Sequence, residues 1–539
     1  MSLSRRDLLK ITIKAGAGAA VLSGIPGPLL AQLGAALPEP GQTIRDLAVK
    51  ELALRAIEAA RDAGANYVDV RLTHTRQRHV GTHDMRDVEE LVVGVRSLVN
   101  GYWGFAASRL WTPDEMARLG RESVAQARAL AIGPVREVDL AAAPAPVDEH
   151  WTMPVELDPL EDVSVDEVSD ILDGIEYFVR VHPAFRLLPG SPSAHFVVQD
   201  KAFASSEGAY CTQRLYRTQG RVELELRTRE ASFARGLDTI TPAGKGWEYF
   251  KRQPLREQIA RLMEEMEAEA KLPVKPVEVG RYKVVCDART IVNLAAPTLG
   301  VATQLDRALG YEANSGGTSY LNDPLNMLGS FEAGSSLLTL TANRSEPGGA
   351  ATVQWDDEGV RPDDFTIVHE GVLQDFQTTR ESAAWLADAY TKASRAVRSH
   401  GCAAAPTAVE VPITHTPNLR IAPGKEALDF DDLVAGLGEG LAVKDMKVDI
   451  DYQGLNGLGQ GNVYEVKNGK RVARIMGAGF LFRAPQLWKG LVALGGEGSL
   501  RRFGVESSKG EPEQVTYHTV TAPPAVFEEF TVIDPKRKA

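Results

Sequence analysis

Leu47, Leu54 and Ile57 recur at helical spacing. Thr43 is a good N-cap residue and Gly64 suits a helix C-terminus, so a helix is expected over 43–64. The period then changes. Tyr67-Val68-Asp69-Val70-Arg71-Leu72 alternates apolar and polar as a half-buried strand does, and leads into a polar stretch carrying His74, His79 and His83. Residues 92–108 read as two apolar strands around Asn100-Gly101, a dipeptide suited to the positive φ angles of a type I′ turn. A helix over 112–130 follows, then a Pro- and Ala-rich surface connection over 132–160. Helical spacing returns over 163–181 and strand-like alternation over 195–227. Leu255, Ile259, Leu262 and Met266 lay one apolar stripe along a charged helix, with the methionines as core filler.

Lys271-Leu272-Pro273-Val274-Lys275-Pro276 is the clearest break in this pattern. Two domains are expected, 37–272 and 273–539, because 539 residues exceed what one compact core accommodates. The fold class is α+β, with antiparallel sheet and packed helices in each domain and more strand in the second. Beyond the break, 281–285 is strand-like and runs into CDARTIVNLAAPTLGVATQLDRALG, residues 286–310. An interior proline costs a helix about 3 kcal/mol and one hydrogen bond. Any helix here must therefore bend at Pro297, unless the proline opens a new helical segment.

Composition excludes more than it identifies. Sixty basic against 72 acidic residues give a net charge of −12, the wrong sign for a nucleic-acid-binding surface. Cys211, Cys286 and Cys402 are far apart and odd in number, so they form no disulfide framework and have no metal-ligand spacing. His369-Glu370 precedes Gly371, Val372 and Leu373 and reads as a strand turn. The glycines of Gly454-Leu455-Asn456-Gly457-Leu458-Gly459-Gln460-Gly461 lack the strand-then-helix setting of a phosphate loop and read as a loop between strands. Ser508 and His518 lack the nucleophile setting of a hydrolase triad.

The N-terminus reads as a targeting segment. Ser4-Arg5-Arg6-Asp7-Leu8-Leu9-Lys10 resembles a twin-arginine export motif, with Arg5 and Arg6 as its pair. The weakly apolar run over 11–31 is broken by Lys14, Pro26 and Pro28, which argues against a stable membrane span. Residues 1–36 are therefore expected to be a signal peptide cleaved between about Ala31 and Ala36, and the chain to be periplasmic or extracellular.

A family resemblance runs through the second domain. Asn343-Arg344-Ser345-Glu346-Pro347-Gly348-Gly349, Asp356-Asp357-Glu358-Gly359-Val360 and Thr379-Arg380-Glu381-Ser382-Ala383 occur in order, with Asn468-Gly469-Lys470 after them. Together with the 286–310 segment, these stretches resemble the TldD/PmbA family of metallopeptidases and their non-catalytic partners. The resemblance implies a helix that in active members carries His-Glu-x-x-x-His, and a Cys near the C-terminus as third zinc ligand. Three protein ligands and an open position for water are what a catalytic zinc needs, with a nearby Glu as base.

On this pattern Ala296 and Pro297 stand at His-Glu, and Val301 stands at the second His. Within Glu506-Ser507-Ser508-Lys509-Gly510-Glu511, Ser508 stands at the Cys. No catalytic residue is intact, and no metal or other cofactor is expected. The resemblance implies a non-catalytic subunit that pairs with a homologous TldD-type subunit, or a homodimer, acting on small or unfolded peptides. The alternatives are an active metal-dependent peptidase with a relocated site and a stand-alone peptide-binding homo-oligomer. A relocated site draws on Asp306, Glu312, Asp356 and Asp357, whose carboxylates suit a hard cation if they converge.

Overall fold

The computed structural model describes residues 48–132, 138–228 and 232–536. Arg5, Arg6, the expected cleavage region and the Thr43 cap lie outside the described residues. The first domain is built on a six-stranded sheet. Its order is Tyr102–Ser108, Met85–Val99, Tyr67–Gly81, Ser193–Ser205, Tyr210–Arg221 and Val147–Thr152. The Asn100-Gly101 turn has φ of +51° and +85° and joins the predicted hairpin in register, Val99 opposite Tyr102.

Helices Val49–Asp62 and Pro113–Leu130 pack against this sheet. The first buries Val49, Ala53, Ala56, Ile57 and Ala60, while Leu54 is 50% exposed. The contact face is thus made largely of alanines with Ile57, while Leu54 of the expected stripe is exposed and Leu47 lies outside the described residues. Helix Leu255–Ala270 buries Leu255, Ile259, Leu262, Met263 and Met266 as expected.

Three local expectations change. The first strand does not end at Leu72 but runs to Gly81, paired along its length with strands on both sides. His74 and His79 therefore sit on a strand. His74 is buried and bonded to Glu89 at 2.8 Å, and of the three only His83 is exposed. The connection over 132–160 contains an edge strand, Val147–Thr152, parallel to Tyr210–Arg221. The glycine run is not a loop: Gly457, Gly459 and Gly461 lie within strand Asn456–Lys467. Added Cβ atoms at Gly457 and Gly459 would stand 2.1 Å from Phe482 and 2.4 Å from Met446, respectively, so these large side chains lie directly on the backbone.

The second domain stacks two sheets over one core. An eight-stranded sheet includes Gly280–Cys286, Gly440–Ile450, Asn456–Lys467 and Ala525–Ile533. A six-stranded sheet includes Leu340–Asn343, Asn418–Ile421, Gln514–Ala522 and Arg501–Lys509. Helix Ala288–Ala295 contributes Ile291, Val292, Leu294 and Ala295 to the core they share. Among the described residues no helix is long and apolar enough to cross a membrane.

The domains are joined by buried charge and close backbone contact. Arg96 bridges Asp69 at 2.7 Å and Glu358 at 3.1 Å, and Lys201 meets Asp357 at 2.6 Å. Gly94 leaves no room for a side chain: a Cβ there would stand 1.9 Å from the Ala408 carbonyl.

Candidate functional site

Asp287 opens the core helix by accepting from the Thr290 amide at 2.9 Å. The α-helix ends at Ala295, and Ala296–Val301 continue as a wider π-helical turn. Pro297 accounts for the change, since it cannot donate to the carbonyl four residues back. Pro297 thus opens a new helical segment, and the helix does not break.

The loosened turn is held by side chains from elsewhere in the fold. Tyr320 donates to the Thr298 carbonyl at 2.8 Å, Gln377 to that of Gly300 at 2.5 Å, and Ser319 to that of Ala302 at 2.8 Å. The Thr298 hydroxyl donates to the Leu294 carbonyl and accepts from the Trp488 indole at 2.9 Å. A Cβ on Gly300 would stand 3.1 Å from Leu419 and 3.2 Å from Thr416, so the turn lies directly against strand Asn418–Ile421.

Ala296 is buried, and Pro297 and Val301 are half-buried. None of the three offers an atom that binds a metal or moves a proton. Ser508 is opposite Val515 in the C-terminal hairpin and is exposed. Alternation places Phe503, Val505, Ser507 and Lys509 on the other face, where Phe503 and Val505 pack into the core. The position facing the core helix is therefore Ser507 or Lys509, one residue either side of the expected Ser508. Ser507, like Ser508, carries a hydroxyl in place of a thiolate.

Lys509 fills this inner face. Its side chain is 2% exposed, and Nζ donates to Asp306 Oδ2 at 2.7 Å, the Thr414 carbonyl at 2.9 Å and Gln304 Oε1 at 3.0 Å. Burial lowers the Lys509 pKa, and Asp306 opposes that shift. Gln304 in turn donates to Thr416 at 3.0 Å. Beside them, burial and the Lys509 charge depress the His415 pKa to about 3, and its ring is held by Gln514 at 3.1 Å and Thr516 at 2.9 Å. A fixed ammonium and a core helix without donor side chains do not fit a zinc ion.

His518 pairs with Val505 and so lies on the inward face, opposite to that of Ser508. The two form no triad. Its ring is 1% exposed with neither nitrogen bonded, and burial depresses its pKa to about 4.

The four carboxylates considered for a relocated site are not brought together. Asp306 is bound to Lys509, while Glu312 lies beside Arg307 with one oxygen buried and unbonded. Asp356 accepts from the amides of Glu358 and Val360, both at 2.9 Å, and from Ala403 at 3.2 Å. Burial and Glu358 raise its pKa to about 7. Asp357 is desolvated too, but Lys201 and Arg71 hold its pKa below the usual value. Among the described residues no three His, Cys, Asp or Glu side chains are placed to hold a metal ion. His369-Glu370 is a strand turn as read, with Glu370 at φ +46° and Gly371 at +85°.

The sequence reading overlooked Lys509, Gln304 and Gln377. Lys509 had a visible signal, a cation in step with Phe503 and Val505 on an alternating strand. The two glutamines had none.

The arrangement is a two-sheet core enclosing a helix that faces a C-terminal hairpin. Residues 279–534 match the PmbA/TldA metallopeptidase C-terminal domain. A metalloprotease of Methanocaldococcus jannaschii is 23% identical over 437 residues, which cover 79% of this chain and 89% of that protein. A Thermotoga maritima protein described as a modulator of DNA gyrase superposes with a TM-score of 0.68 at 15% identity, covering 90% of this chain and all of that one. TldE from Thermococcus kodakarensis does so with a TM-score of 0.64 at 13% identity, covering 90% of this chain and all of its own. Residues 279–534 carry the TldD/PmbA family's C-terminal domain, and the likenesses over the rest of the chain support the same family.

Proposed function

We propose that this chain is an exported, non-catalytic member of the TldD/PmbA family that pairs with a homologous metal-bearing subunit in the proteolysis of small or unfolded peptides. The observation that carries the reading is the filled inner face of the site. The helix positions hold Ala296, Pro297 and Val301, and the hairpin turns the Lys509 ammonium inward onto Asp306. A fixed positive charge there opposes a zinc ion by like-charge repulsion, and the helix supplies neither ligand nor base. Likeness to TldE supports a paired role, and the Arg5-Arg6 stretch supports twin-arginine export to the periplasm or beyond.

The test is reconstitution. The chain alone, a homologous subunit carrying His-Glu-x-x-x-His, and their mixture are compared by light scattering and by hydrolysis of an unstructured peptide. A mixed complex that cleaves faster than the homologue alone, with no cleavage by this chain alone, is the expected result. Chelator-sensitive cleavage by this chain alone overturns the reading.

A further inference from the structure

At the opposite end of the core helix from Lys509, the two domains enclose a cleft of about 600 Å3. That is within the ~300–1,000 Å3 usual for small-ligand sites. Its walls are the 235–253 segment of the first domain, the first turn of the core helix, and 501–504 of the hairpin. Two kinds of incompletely matched charge face each other there.

On the cationic side, the Arg289 guanidinium lies 4.9 Å over the Phe503 ring. Its Nη1 is shielded from solvent with no hydrogen bond, and Asp238 Oδ1 is 3.9 Å away, beyond bonding distance. Arginine in the first turn of a helix opposes the helix dipole, so helix stability does not explain its presence. Lys245 lines the same space without an ion pair among the described residues.

On the acidic side are Asp238 and Asp287; of the other two carboxylates, Asp429 caps its own helix at the Asp432 amide and Asp431 faces out toward Arg471. The Asp238 side chain keeps 42% of its surface open to the cleft. The walls still withdraw it from bulk water, and this desolvation with the nearby Asp445 raises its pKa to about 7. The same two causes raise that of Asp287 to about 6. Of the other cations of the cleft, Arg235 is held by Asp445 at 3.1 Å, Lys444 by Glu269 at 3.3 Å and Arg502 by Glu346, while Arg501 is exposed and donates to the Gly498 and Leu500 carbonyls.

The geometry points to a binding site for a short zwitterionic peptide, a di- or tripeptide whose carboxylate is taken by Arg289 and Lys245 and whose ammonium is taken by Asp238 and Asp287. A polyanion such as a nucleotide is disfavoured by the two carboxylates, and a simple cation by the two uncommitted bases. A zwitterion satisfies both sides at once, and the Phe503 ring and the Tyr249 wall give its backbone an apolar surface. The site is independent of the metal question and of the proposed subunit pairing.

Calorimetry on the purified full chain at neutral pH tests this with triglycine, N-acetyl-triglycine, triglycine amide and the doubly capped peptide. Triglycine is expected to bind saturably at one site. Each single cap weakens binding at least ~10-fold, and the double cap abolishes it. Arg289→Gln weakens triglycine at least ~10-fold and removes its advantage over the amide, while Asp238→Asn removes its advantage over the acetylated peptide. Lys245→Gln, a change in a half-buried side chain without an ion pair, serves as the second variant if Arg289→Gln fails to fold. Failure of triglycine to bind, equal binding of the doubly capped peptide, or unchanged affinity in a folded Arg289→Gln protein overturns the assignment.

Discussion

Replacing Lys509 by Met removes a charge and three donated hydrogen bonds while keeping most of the side-chain volume. The ammonium is 2% exposed and its partner Asp306 13% exposed, so water replaces little of what is lost. Breaking one side of a buried ion pair costs about 3–5 kcal/mol, because the remaining charge is left uncompensated. The Gln304 oxygen and Thr414 carbonyl lose a donor as well. The partial opening of Asp306 places the expected loss near the lower end, about 3 kcal/mol. Urea denaturation of the wild type, Lys509→Met, Asp306→Asn and the double variant measures it. The double variant is expected to lose at least ~1 kcal/mol less than the sum of the singles, since the carboxylate no longer needs its counter-ion. A Lys509→Met protein within ~1 kcal/mol of wild type, with additive double-variant behaviour, would show that the buried pair is not coupled.

Three further outcomes are expected. Burial lowers the His518 pKa from 6.5 to about 4, so between these values the unfolded chain binds the proton more readily. Its contribution is full above pH 6.5 and is lost as pH falls toward 4, by up to about 3 kcal/mol. Asp238 and Asp356, raised to about 7, act in the opposite sense over this window. The measurement is therefore the stability difference between wild type and His518→Leu, which shifts toward the variant on acidification; parallel pH curves contradict it. Gly94→Ala drives a Cβ into the Ala408 carbonyl and should cost about 1–3 kcal/mol, with faster limited proteolysis near 404–411. Unchanged melting and cleavage would show that the contact relaxes without cost. Gln377→Ala leaves the Gly300 carbonyl without its donor, a loss of about 1–3 kcal/mol read as faster amide exchange over 298–305. Unaltered exchange there would mean the wide turn holds itself.

Local signals were legible and non-local ones were not. The Asn100-Gly101 hairpin and the 255–270 helix follow from turn chemistry and one apolar stripe, and both are present. Strand Tyr67–Gly81 keeps going through polar residues because it is hydrogen-bonded to neighbours on both sides, which no side-chain pattern reports. Edge strand Val147–Thr152 is mostly exposed and so lacks alternation. The glycines of 456–467 form a strand because Phe482 and Met446 come from other parts of the chain to cover them.

At the site, a helical segment that changes course at Pro297 was readable in the sequence and is present. The inward residue of the hairpin was not. A shift of one position turns a strand side chain to the opposite face, which separates exposed Ser508 from buried Lys509. The π-helical turn was only half visible, since Pro297 signals it while Tyr320, Ser319 and Gln377 stabilise it.

Metal content of the purified chain, incubated with zinc and then freed of unbound ion, decides whether the site between core helix and hairpin holds a metal. Well under ~0.1 zinc per chain is expected, with no chelator-sensitive peptide cleavage. About one tightly held zinc per chain, lost together with cleavage on chelation, would contradict it.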